Sequence, residues 1–107
     1  MRKLLISVLL NMICVLAANA SCGYEASQLE QAVEIRAKQN PKTAPEYFLQ
    51  QIESGANSEE QAVYLYGMGL AHEKQKNTKE AINDYLSASI LGNERAKCAL
   101  MELQKIK

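Results

Sequence analysis

Between Ala62 and Cys98, small and apolar residues recur at helical spacing in two runs, parted by a short polar break at Asn77-Thr78. Ala62, Leu65, Tyr66, Gly69 and His72 fall along one line of the first run. Ala81, Ile82, Tyr85, Leu86 and Ala88 recur at intervals of three and four in the second. Such intervals put side chains on one face of an α-helix, and two helices joined by so short a turn lie antiparallel. The stretch therefore predicts a helical hairpin. A shift of 37 residues brings Asn40, Lys42, Ala44, Leu49 and Gly55 onto Asn77, Lys79, Ala81, Leu86 and Gly92, and Phe48 onto Tyr85. These matches cluster in the turn, the second helix and its glycine, which predicts two repeats, over about 25–61 and 62–98.

The remaining elements follow from start and stop signals. A first helix is expected over about 25–39, with Leu29, Ala32, Val33 and Ile35 as its apolar stripe and Ser27 and Glu30 at capping-box spacing. Asn40-Pro41 stops it, because the residue before proline is pushed out of helical angles. A second helix is expected from near Thr43, with Pro45 tolerated in its first turn, Phe48, Leu49 and Ile52 as its apolar edge and Gly55 as its cap. The third runs from Asn57 or Ser58 to about Gln75, with Glu59 and Glu60 at its positive end. The fourth spans about 79–91 and ends at Gly92-Asn93, and the fifth spans about 94–105. Gly69, Ala81 and Ala88 are the expected close-approach positions, Leu65, Tyr85 and Leu86 the residues that fill the space beside them, and Gly92 a cap. The expected fold class is all-α: a short α-solenoid of two helix-turn-helix repeats plus a C-terminal capping helix.

Leu65, Gly69, Ala81, Tyr85 and Ala88 fall where a tetratricopeptide repeat places its large, small, small, aromatic and small residues, and on them the chain resembles that superfamily. The 37-residue period, the Leu91-Gly92-Asn93 triplet and Ala96 are more similar to its Sel-one-like branch. The Asn77-Thr78 loop lacks that branch's glycine-rich insertion, His72 or Leu70 replaces its usual Tyr, and either Gly67 or Gly69 fits the family glycine. Both branches stay open. The resemblance implies a right-handed solenoid that binds other proteins in a bacterial envelope or outside the cell, for example to assemble envelope complexes or restrain a cell-wall enzyme.

The first twenty residues read as a secretory signal peptide: basic Met1-Arg2-Lys3, an apolar run broken by Ser7 and Asn11, then Ala18-Asn19-Ala20. Cleavage after Ala20 leaves a domain at 21–107, periplasmic or secreted, with no membrane span after processing. Loss of Arg2 and Lys3 turns the formally neutral chain into one of net charge −2, with no basic footprint for nucleic acid. Cys22 and Cys98 then form an even pair in an oxidising compartment and are a candidate disulfide, if the chain can bring them within bridging distance. Two other readings stand beside it: Cys98 as a small buried residue, and Cys22 as the lipidated first residue of a lipoprotein.

Catalytic and cofactor signatures are missing from the sequence. His72-Glu73 starts like a zinc-protease helix, but Lys76 stands where the second histidine belongs. Gly67-Met68-Gly69 lies inside a helical pattern rather than in a phosphate loop. No catalytic residue, metal site or cofactor is expected. On the third helix Tyr64 and Met68 lie on one line and Tyr66 and Glu73 on another. One reading buries both lines between neighbouring hairpins, and the other makes one line core and the other a partly exposed surface for a protein or peptide partner. From other classes come a small secreted enzyme or enzyme inhibitor using Cys98 and His72, and a homo-oligomer built on the apolar face of the last helix at Leu100, Leu103 and Ile106.

Overall fold

A computed structural model describes residues 25–105. The proposed signal peptide, Cys22 and Ile106 lie outside them. The described residues form five helices and no strand: α1 (Gln28–Gln39), α2 (Ala44–Glu53), α3 (Ser58–Lys74), α4 (Thr78–Ile90) and α5 (Glu94–Lys105). The first helix begins at Gln28, later than residue 25, because Ser27 is its N-cap. The Ser27 hydroxyl accepts from the Glu30 N–H and the Glu30 carboxylate accepts from the Ser27 N–H. Asn57 and Glu60 form the same box on α3. Gln31 and Gln61 each reach back to the carbonyl of Ala26 or Ala56. Two orphan donors at each helix start are thus satisfied by residues three apart in sequence.

These matched starts lie 30 residues apart, not 37. Ala26, Glu30, Gln31, Ala32 and Val33 recur as Ala56, Glu60, Gln61, Ala62 and Val63. The 37-residue period holds from the turn onward, so the seven-residue difference is taken up by α3, which has 17 residues against 12 in α1, and by Gln75 and Lys76 after it.

The centre of the molecule is α3. It packs against α1, α2 and α4, while α1 and α2 barely approach each other and α5 leans mainly on α4. Two glycines of α3 admit two rings from opposite sides. A Cβ on Gly69 would lie 2.5 Å from the Tyr85 ring of α4, and one on Gly67 would lie 2.7 Å from the Phe48 ring of α2 and 3.0 Å from Val33 of α1. Phe48 and Tyr85 are the largest fully buried side chains. Ala44, Ala81, Ala88 and Ala96 have no exposed surface and let the backbones close around the rings. Gly55 and Gly92 end α2 and α4 with φ of 107° and 99°, where a side chain would be strained. Lys76 takes the corresponding left-handed position after α3, with φ 63°.

Several expected core positions face water. Leu49 and Leu86, one period apart, are 45% and 48% exposed, and Ile35 is 55% exposed. The reason is angular. Val33 and Ala37 turn α1 toward α3, and Ile35, two residues from each, projects away from that line into solvent. In α4, Ala81, Tyr85 and Ala88 form the inward line, and Leu86 lies beside it, toward solvent.

Candidate functional site

The expected partner-binding residues of α3 do not make one free surface. Tyr66 is buried, and its hydroxyl donates to Glu34 over 2.5 Å. Arg95 donates to the same carboxylate oxygen through Nε at 3.1 Å and a terminal nitrogen at 2.7 Å. Burial, with the adjacent Glu34 charge, pushes the Tyr66 hydroxyl well above its ordinary value. Burial alone would pull Arg95 down, but its bonds to Glu34 and Tyr66 outweigh this and hold the guanidinium above its usual range. Glu73 is exposed, and one of its oxygens accepts from the Tyr85 hydroxyl at 2.6 Å. Met68 is half-buried against the core. Tyr64, also half-buried, stacks on Phe48 with ring centroids 6.0 Å apart. Tyr66 and Glu73 thus tie α3 to α1, α4 and α5, and Tyr64 alone of the four lines an open groove.

That groove lies between α1 and α2, with Tyr64 of α3 in its lining. It has a volume of about 380 Å³ and is lined by Leu29, Ala32, Ile35, Arg36, Tyr47 and Phe48 among others. It exists because the two hairpins are filled differently. Counted from the turn, Ala32 and Phe48 stand where Gly69 and Tyr85 stand 37 residues later. Tyr85 closes its hairpin against Gly69, whereas Phe48 turns to Gly67 of α3 and leaves Ala32 exposed on the groove wall. The Arg36 guanidinium carbon sits over the Tyr47 ring, 3.7 Å from its centroid. Ile35, Arg36 and Tyr47 were absent from the expected site. A signal was available in the adjacent rings Tyr47-Phe48, since neighbours on a helix point about 100° apart and cannot both enter one core.

A second hollow, of about 400 Å³, lies where the starts of α1, α3 and α5 converge, lined by Ser27, Glu30, Glu59, Asn93, Glu94 and Arg95 among others. Ser27, Glu30, Asn93 and Arg95 of this lining are engaged internally. Asn93 donates to Glu30 at 3.0 Å and accepts from the Ala96 N–H at 2.8 Å. With Arg95 on Glu34, this joins the start of α5 to α1 through side chains, although the two helices do not pack backbone to backbone.

Of the residues considered for chemistry, His72 is committed to α4: its Nδ1 lies 2.6 Å from the Asp84 carboxylate. Burial pushes the Asp84 carboxyl above its ordinary value, and the His72 bond and charge pull it back only in part. Cys98 is half-buried on α5. Among the described residues, no group of three or more His, Cys, Asp or Glu could hold a metal ion, and no helix is long and apolar enough to cross a membrane. Comparison with protein-family models, curated proteins and solved structures gave no match, so the geometry of the groove and its neighbours carries the functional reading.

Proposed function

We propose that this chain is a small exported, non-catalytic helical-repeat module that binds another protein through the groove between α1 and α2. The carrying observation is the groove itself: an aromatic and aliphatic trough in which Ile35 is 55% and Tyr47 37% exposed, above the buried Phe48 ring. Exposed apolar groups collected in a concavity, with one cation among them, are the composition of a recognition surface. Support for a two-repeat solenoid with a capping helix comes from residues one period apart in like surroundings: Ala44 and Ala81 buried, Phe48 and Tyr85 buried, Leu49 and Leu86 exposed, Gly55 and Gly92 left-handed. The tetratricopeptide-like or Sel-one-like assignment rests on the same positions. Export rests on the leader-like residues 1–20.

The test is comparative capture. The chain with residues 21–107 and its Ile35→Asp variant are presented to the envelope and secreted fractions of the source cell. A partner held by the parent and lost by the variant, with unchanged helicity, supports the proposal, and equal capture by both overturns the groove as the binding surface. A homo-oligomer is favoured by a different observation, the exposure of Leu86, Ile90, Leu91 and Met101 on and beside α4 and α5, with Ile90 at 77%. Sedimentation of the parent and an Ile90→Asp variant separates the two: a dimer abolished by that change places a second copy on α4 and α5.

A further inference from the structure

If the groove between α1 and α2 is an interaction surface, as proposed above, its charge selects the partner's chemistry. Its lining contains one charged residue, Arg36, and no carboxylate. Among the described residues the ion pairs are formed by His72, Arg95 and Lys105, and no carboxylate pairs with Arg36. The guanidinium sits over the Tyr47 ring at 3.7 Å, a distance at which it lies on the ring face. Its N–H donors lie in its own plane, so ring contact leaves them for an acceptor. Around it, Ile35, Tyr47 and Tyr64 supply apolar and aromatic surface. The hollow at the starts of α1, α3 and α5 has the opposite character, with Glu30, Glu59 and Glu94 in its lining and its one cation, Arg95, on Glu34.

We infer that the groove receives a segment of a partner protein that seats an apolar or aromatic side chain among Ile35, Tyr47 and Tyr64 and sets a neighbouring carboxylate on Arg36. A polypeptide fits better than a lipid chain. The trough is open along helices of 12 and 10 residues, roughly 15 to 18 Å, and an acyl chain laid in it would stay half wet. Gln39 and Asn40 at its end offer the amide donors and acceptors that a peptide backbone uses.

The experiment is a selection of a phage-displayed random peptide library on the chain with residues 21–107, followed by affinity measurement of a synthetic selected peptide. The expected peptides carry Asp or Glu within one or two positions of Leu, Phe or Trp. Arg36→Gln should weaken the peptide about tenfold to a hundredfold, the loss of a charge-assisted bidentate contact, with circular dichroism and melting unchanged. Arg36→Glu should bind a peptide whose acidic residue is replaced by Arg and reject the original. Enriched peptides without an acidic residue, or affinity indifferent to Arg36→Gln, would overturn the inference. So would an Ile35→Asp-sensitive dimer that fills the groove with a second copy, or displacement of the peptide by laurate at lower concentration than by the peptide itself. Partner capture that is lost in Ile35→Asp but kept in Arg36→Gln sinks this inference and leaves the groove as a binding surface, whereas capture unaffected by Ile35→Asp sinks the groove itself.

Discussion

At the scale of single residues, the tightest constraint is the fit of two rings against two glycines. Gly69→Ala gains up to about 1 kcal/mol of helix propensity, but its methyl would enter the Tyr85 ring, which is fully buried and tethered to Glu73. The ring cannot retreat cheaply, so a net loss of about 1 to 3 kcal/mol is expected, read as a fall of several degrees in melting temperature. A variant that melts at or above the parent would refute the close approach. Lys76 poses the opposite case, because it holds the left-handed position that glycine holds after α2 and α4. Lys76→Gly should stabilise the chain by about 1 kcal/mol, and a loss in urea titration would show that the lysine has a further role. Asp84 gives a pH signature. Its folded-state pKa is raised above its ordinary 3.8 by burial, so folding binds its proton more tightly than the unfolded chain does. Its contribution to stability is therefore present below 3.8 and is lost as pH rises through the folded value. Asp84→Asn should remove that decline, so the stability difference, parent minus variant, should shrink as pH rises above 3.8. A difference that grows over that range would reverse the sign assigned to burial.

Among elements, the helices are held by devices of two ranges. The capping boxes at Ser27 and Asn57 are local and were legible, at least at Ser27 and Glu30, before any packing was known. Asn57→Ala should cost about 1 kcal/mol by leaving a helix-start donor unmet. Glu34 is different in kind. It accepts from Tyr66 of α3 and Arg95 of α5, more than thirty and sixty residues away, so no local pattern announces it. Glu34→Ala should cost roughly 1.5 to 3 kcal/mol, since it strands a buried hydroxyl and a guanidinium. Hydrogen exchange should then speed up at the start of α5 before the core of α3. Uniform protection across α5 would count against the bridge. Tyr66, bonded to Glu34 thirty-two residues away, and Glu73, bonded to Tyr85 across the hairpin turn, read as partner-binding candidates in sequence because both bonds depend on packing between helices.

On the scale of the whole molecule, intact mass of the protein purified from the source cell, reduced and nonreduced, would test processing after Ala20, lipid on Cys22 and a Cys22 to Cys98 bridge together. Cleavage after Ala20 with no added mass is the outcome that accords with the leader-like residues. The sequence by itself determined the five helices of residues 25–105, their stops at Asn40-Pro41, Gly55 and Gly92, and the small residues around which they close. Each of these depends on angles, caps and spacings within one or two turns of chain. Only the tertiary structure decided which of Tyr47 and Phe48 is buried, which α3 glycine takes which ring, and that the first hairpin stays open where the second is shut. Those outcomes depend on a neighbour's shape and distance across the fold. A local helical pattern therefore predicted that α1 and α2 exist, while the choice of Gly67 by Phe48 created the groove between them.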